Sequence, residues 1–285
     1  MPRAISRIIT RILLLLTVCA LVPCVFAGTV LTANYWAEGS TDASGTYTYN
    51  GPGATQLGSA VIGYIPTNGN QQYPDSNVVN YFRTGTYIAG AGGAYNGALL
   101  GNLTGYSGLT ATFSLNNSAL AAGQQFDSSQ LVGELISGQT SNAGLRLMFM
   151  GGSTVPPGAT PNQWWSNPGV VYVTSMKNGQ DVTLTVDFDP ALWSNYYGHR
   201  GTESSTTIAQ FEDALANVTR LGLSFGSGYF YSDGFSFNTG GTAYIELDSI
   251  GTTGGGSSTP EPASFALLLG SIVPIAAVRW FKKRR

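Results

Sequence analysis

Both ends of the 285-residue chain are hydrophobic, which leaves roughly 230 residues between them, room for one large domain. Three basic residues (Arg3, Arg7, Arg11) precede residue 28 and five (Arg279, Lys282, Lys283, Arg284, Arg285) follow residue 259, so five basic residues face 14 acidic ones in between. That balance repels phosphate backbones and excludes nucleic acid as a partner; both cysteines, Cys19 and Cys24, fall in the first hydrophobic segment, so the domain must rely on packing rather than disulfides.

Residues 1–27 have the order of a secretory signal. Three arginines and no acid come first, Ile12 to Val22 is apolar, and Val25-Phe26-Ala27 offers small residues to a signal peptidase, with cleavage after Ala27. The apolar run is short for a helix that must cross about 30 Å of hydrocarbon. A lipoprotein alternative through Cys24 meets Pro23 where a small residue belongs.

Residues 28–253 read as an exported domain. Period-2 alternation and turn punctuation predict strands at Val30–Trp36, Val78–Arg83, Gly108–Leu115, Leu131–Ile136, Leu145–Met150, Val170–Ser175, Asp181–Phe188, Arg220–Phe225 and Thr242–Ile250. The clearest is the seventh, in which Val182, Leu184, Val186 and Phe188 alternate with Thr183, Thr185 and Asp187 to give one buried and one wet face. A helix is predicted at Ile208–Val218, with Ile208, Phe211, Leu215 and Val218 on one stripe and Thr207 with Gln210 in a capping-box pattern. Nine strands and one helix, in a glycine-rich chain of only 10% charge, predict an all-β sandwich with the helix closing one end.

Aromatic residues cluster in polar, glycine-rich stretches: Trp164, Trp165, Trp193, Tyr196, Tyr197, Tyr229, Phe230 and Tyr231. Flat rings in wet loops stack on sugar faces while nearby Asn and Asp side chains bond hydroxyls, so these residues are candidates for binding polysaccharide. The competing reading makes Trp193 and some tyrosines part of the core. Catalytic chemistry is thinly represented. His199 is the single histidine, set in a loop, and His-Glu-x-x-His does not occur. A non-catalytic domain is therefore expected, with a secreted glycoside hydrolase using two carboxylates as the alternative. Asn102, Asn116 and Asn217 open acceptor sequons, which by themselves carry little meaning.

After a Gly/Ser linker at 254–259 come Pro260-Glu261-Pro262, an apolar stretch from Ala263 to Val278 continuing to Trp280, and the basic end. An apolar span over 263–280 with cations after it would hold the tail in the cytoplasm and the domain outside. Pro260-Glu261-Pro262, the short Leu/Ala/Gly-rich span and the terminal Arg/Lys cluster resemble the PEP-CTERM sorting tail. That resemblance implies recognition by an exosortase, a membrane cysteine transpeptidase. It also implies a membrane-anchored precursor that ends on the surface, or in the extracellular polysaccharide, of a Gram-negative bacterium.

Within the domain, Tyr35-Trp36-Ala37-Glu38 at the start and Phe237 with Tyr244 to Ile250 at the end resemble galactose-binding-like and laminin-IV-type jelly rolls. The resemblance implies that the first and last strands are adjacent and that a structural calcium could be held there by Glu38, Glu246 and Asp248, with solvated strand-edge acids as the plainer reading. Asp187 and Asp189 also permit a metal, although a turn cap before Pro190 is more ordinary.

Overall fold

The computed structural model describes residues 31, 36–41, 47–50, 54–67, 78–85, 99–133, 135–136, 139–140, 143–152, 162–226, 234–238 and 240–254. In chain order the strands are β1 Trp36–Thr41, β2 Tyr47–Asn50, β3 Thr55–Leu57, β4 Ala60–Ile65, β5 Val78–Gly85, β6 Gly108–Asn117, β7 Leu131–Gly133 and β8 Leu135–Ile136. They continue as β9 Gln139–Thr140, β10 Gly144–Gly151, β11 Asn162–Tyr172, β12 Val182–Asp187 and β13 Trp193–Asn195; then, after helix α1 Ser205–Ala216, β14 Val218–Phe225, β15 Phe235–Phe237 and β16 Ala243–Thr253.

Fourteen of these strands form two antiparallel sheets, and β8 pairs with β9 in a separate two-stranded one. Sheet A runs β13-β11-β10-β14-β5-β1-β2, with β15 paired to β5 and β7 paired to β15; sheet B runs β12-β6-β16-β4-β3. The alternation of each strand sets what it buries. In β10 and β14, Leu145, Leu147 and Phe149 lie beside Phe225, Leu223 and Leu221 in register, and all six are buried in the core between the sheets. From sheet B, Leu109, Ala111, Phe113 and Leu115 of β6 meet them with Ala243, Ile245, Leu247 and Ile250 of β16. The jump in that last series coincides with a register shift between Leu247 and Ser249, which flips the phase at Asp248.

β10 is buried on both faces. Its other side carries Met148 and Met150, which with Trp165 form a second buried apolar cluster. Gly151, at the end of this strand, lies against the backbone carbonyls of Ala214 and Asn217, so a side chain there has no room.

The largest aromatic cluster gathers around Phe149. Its ring centroid lies 4.9 Å from Trp193, 5.6 Å from Phe211 and 5.9 Å from Phe188, each edge to face, while Phe211 also meets Trp164 at 5.1 Å. Each such pair adds on the order of 0.5–1.5 kcal/mol beyond its area burial. The cluster joins the centre of sheet A to α1 and to the segments flanking the 3-10 turn at Pro190–Leu192.

Several predicted elements end elsewhere. Helix α1 begins three residues earlier than predicted because Ser204, not Thr207, is its N-cap: the Ser204 side chain accepts the Thr207 amide and Thr207 reciprocates. Ile208 is consequently exposed, the buried stripe is Thr207, Phe211, Ala214 and Leu215, and Val218 belongs to β14. The stretch 162–169 is strand rather than loop, whereas Val173–Ser175 is a 3-10 turn. Leu131–Ile136 is divided between β7 in sheet A and β8, which pairs β9. The first strand starts where the predicted one ends, at Trp36. The predicted segments 1–27 and 255–285, including the apolar span at 263–280, lie outside the described residues. Among the described residues no helix is long and apolar enough to cross a membrane.

Replacing Phe149 by Ala should cost roughly 3–5 kcal/mol, since the side chain is fully buried among three aromatic partners, while Ile208→Ala should stay within about 0.5 kcal/mol. Chemical denaturation measures both; a loss for Phe149→Ala no greater than for Ile208→Ala would remove the cluster from its assigned role.

Candidate functional site

The aromatic candidates separate by burial. Trp164 and Trp193 are fully buried core residues, and Trp165 is buried on the opposite face of sheet A, so none of the three tryptophans is a wet-loop ring. The cause is the strand: Trp164 and Trp165 are consecutive in β11 and so project to opposite faces. Trp193 is held by its indole N–H, which donates to the Asp187 carbonyl at 2.7 Å. Tyr229 and Tyr231 lie outside the described residues.

Tyr196 and Tyr197 remain exposed, at 36% and 64%. Their rings stand 5.5 Å apart at 88°, forming an aromatic corner, and Tyr196 rests 6.4 Å from Trp165. The corner is built by the turn that follows β13. Asn195, buried, accepts the amides of Tyr197 and His199 on its Oδ1, both at 3.0 Å. The Asn195 amide in turn donates to the His199 carbonyl at 2.9 Å. Gly198 adopts φ +80°, a conformation that side-chain-bearing residues seldom enter, which lets the chain reverse there.

Arg200 fixes the far side of this turn. Its Nη1 donates to the carbonyls of Asn167 at 2.6 Å and Ala191 at 2.7 Å, tying the turn to β11 and to the 3-10 segment. His199 Nδ1 lies 2.6 Å from Glu203 Oε2, with both side chains about half exposed. The amide of Arg200, with His199 beside it, holds the Glu203 carboxyl below its ordinary range. The pair orients the imidazole without any nucleophile placed against it by a described contact.

The first and last strands are not paired as the resemblance implied. β1, which carries Glu38, pairs with β2 and β5 in sheet A, whereas Glu246 and Asp248 sit on β16 in sheet B between β4 and β6. The first and last strands are therefore not neighbours, and among the described residues no group of three His, Cys, Asp or Glu side chains could hold a metal ion. Asp189 caps the 3-10 turn, its Oδ1 accepting the Ala191 amide at 2.9 Å, as the plainer reading expected.

Sequence reasoning missed a different grouping. Burial first, then the charges of Asp248 and Asp181, push the Glu246 carboxyl up; burial and then Asp181 do the same to Asp248, whose Oδ2 is enclosed without a hydrogen-bond partner. Asp181 immediately precedes β12, and β12 and β16 flank β6 on either side, so the register brings acids from distant parts of the chain to one sheet. The same sheet carries paired hydroxyls, Thr110 to Thr185 at 2.7 Å and Thr112 to Thr183 at 2.9 Å.

Beside α1 a hollow of about 430 Å³ is lined by Asn162, Ser205, Thr206, Ala209, Gln210 and Asp213. The fold and these features define the class: a two-sheet antiparallel β-sandwich with a fixed, exposed tyrosine corner at one edge strand. No family model and no curated protein matches the chain. Among solved structures it is similar to the L4b domain of human laminin alpha-2, at 11% identity and a TM-score of 0.36, covering 80% of this chain and all of that one.

The raised carboxyls give a signed pH dependence. Because Glu246 and Asp248 bind protons more readily folded than unfolded, stability should fall as pH rises from the ordinary carboxylate value, about 4, through their raised folded values. Glu246→Gln combined with Asp248→Asn should raise Tm at pH 7 and flatten this fall relative to the parent chain. An unchanged difference in Tm between the two proteins across pH 4–7 would contradict the electrostatic account.

Proposed function

We propose that this chain is an exported surface or extracellular-matrix protein that binds polysaccharide without catalysis, entering through the signal at 1–27 and sorted by the tail at 260–285. The observation that carries the binding reading is the Tyr196–Tyr197 corner: two exposed rings at right angles on a turn fixed by Asn195 and Arg200. Stacking on a sugar ring needs flat apolar area presented to water at small entropic cost, and a prefixed tyrosine turn meets both conditions.

The sorting reading is supported by the Pro260-Glu261-Pro262 tripeptide, the following apolar stretch and the basic end, which together resemble the PEP-CTERM tail. Hydrophobicity and terminal cations suffice for membrane insertion. A proline-flanked acid adds nothing to that affinity and is explained as an address read by an exosortase.

Tyr196→Ala with Tyr197→Ala should weaken binding to the cognate extracellular polysaccharide at least ten-fold in affinity electrophoresis while Tm shifts little, because both rings are exposed. Retained affinity would remove the corner from the binding surface, and release of reducing ends by the parent chain would replace a binding protein with a hydrolase. For the tail, Ala-Ala-Ala in place of Pro260-Glu261-Pro262 should leave the protein membrane-held and unprocessed. Cell fractionation with intact-mass analysis reads this; processing and release like the parent would reduce the tail to a plain anchor.

A further inference from the structure

The edge of a β-sheet presents unpaired backbone groups, which proteins blunt with shortness, bulges, proline or charge. Most edges here are short: β3, β7 and β13 have three residues each and β2 has four, and β13 is further closed by the bridge between Ser194 and Arg200. β12 is different. It runs six residues along the margin of sheet B, with β6 as its one hydrogen-bonded neighbour among the described residues and no shift in their register. From Val182 to Val186 it carries no charge and no proline. We propose that this edge joins two copies of the chain, β12 pairing antiparallel with β12 of a second copy so that their two B sheets become one.

The phase of the β6–β12 ladder shows what the edge offers. The Phe188 amide donates to the Ser107 carbonyl at 2.7 Å, so Val182, Leu184 and Val186 direct their backbone groups at β6, while those of Thr183, Thr185 and Asp187 point outward. The Asp187 carbonyl agrees with that direction, since it accepts the Trp193 indole N–H at 2.7 Å. Thr183 and Thr185 are exposed, and among the described residues neither makes a backbone hydrogen bond on the open side.

The flanks of the strand favour a second copy as the occupant. Lys177, exposed and in no ion pair among the described residues, precedes the strand, and the exposed Asp187 and Asp189 end it. Antiparallel pairing sets the basic flank of each copy beside the acidic flank of the other, twice by symmetry. Charge also fixes the register. A centre at Leu184 would oppose Asp181 to Asp187 of the second copy, and one at Thr185 would oppose it to Asp189, like charges across a ladder. A centre at Thr183 avoids both. Thr183 then faces its own counterpart, Thr185 faces Asp181 of the second copy, and Asp187 and Asp189 lie toward the turn that holds Lys177. Six residues from each copy bury a small area, so the dimer is of the weak, concentration-dependent kind.

The test uses the full chain in a density-matched zwitterionic detergent, followed by sedimentation equilibrium up to the highest soluble concentration. A concentration-dependent dimer should appear, and Thr185→Pro should abolish it with Tm near that of the parent, because proline deletes an amide that serves only the open edge. Thr183→Lys, which opposes two cations at the centre, should do the same and carries the test if Thr185→Pro fails to fold. Lys177→Glu should weaken the dimer. Register is read by oxidation in a chain bearing Cys19→Ser and Cys24→Ser. Thr183→Cys should give a disulfide-linked dimer, since hydrogen-bonded pairs stand about 5.5 Å apart at Cα, within disulfide reach. Thr185→Cys, roughly 13 Å from its counterpart along the strand, and Thr112→Cys on the inner strand should not. Monomer at every concentration, a dimer that a folded Thr185→Pro or Thr183→Lys variant keeps, indifference to Lys177→Glu, or cross-linking of Thr183→Cys no greater than that of Thr185→Cys or Thr112→Cys would overturn the inference.

Discussion

The edge-to-face cluster around Phe149 is the contact on which the rest of the architecture depends. Phe149 belongs to the central strand β10, and its partners come from three separate places: Phe188 after β12 of sheet B, Trp193 at the start of β13, and Phe211 on α1. One ring therefore ties both sheets and the helix together. Because Trp193 is held in the core by its packing and by its bond to the Asp187 carbonyl, the residues just after it must leave the core, and Tyr196 and Tyr197 are carried outward by a buried anchor. The exposed corner is thus a consequence of core packing three residues upstream, which explains how a surface turn keeps a defined geometry.

Charge follows the same division of the molecule. The register places Arg146 opposite Ser224, Arg220 opposite Met150 and Arg83 opposite Gly222, all on the side of sheet A that faces away from the core. Arg83 and Arg146 are buried there, and Arg83 Nη1 approaches the Met150 sulfur at 3.3 Å. Acids gather instead on sheet B, where burial and then the charge of Asp181 push the Glu246 and Asp248 carboxyls up, Asp248 adding to the effect on Glu246. An anionic domain with few cations thereby concentrates three of its five on one sheet.

The sandwich was legible wherever alternation ran through a strand with one wet face. β12 and β6 show this, with threonines outward and Leu, Val, Ala and Phe inward. The helix was legible from Phe211 and Leu215, but its start was set by Ser204, a cap that hydrophobic spacing does not reveal. The first part of β11, residues 162–169, was missed because Trp164-Trp165-Ser166-Asn167-Pro168 has the composition of a loop; strict period-2 reasoning on the two tryptophans alone would have sent one inward and one to the other face. The expected adjacency of the first and last strands was missed for a different reason. Whether the first and last strands meet is decided by sheet topology, which places them in separate sheets, and no local pattern encodes that. The hollow beside α1 was equally hidden, since its lining joins Asn162 of β11 to side chains of the helix, and no local pattern encodes that pairing.

The central claim is that the fixed tyrosine corner is the surface that meets polysaccharide. Tyrosine nitration of the full chain, with sites quantified by mass spectrometry in the presence and absence of the polymer, tests it most directly, because Tyr64, Tyr172, Tyr196 and Tyr197 are all exposed and serve as one another's controls. The account predicts that polymer protects Tyr196 and Tyr197 while Tyr64 and Tyr172 react as before. Equal reactivity of Tyr196 and Tyr197 with and without bound polymer, or protection confined to Tyr64 and Tyr172, would contradict it.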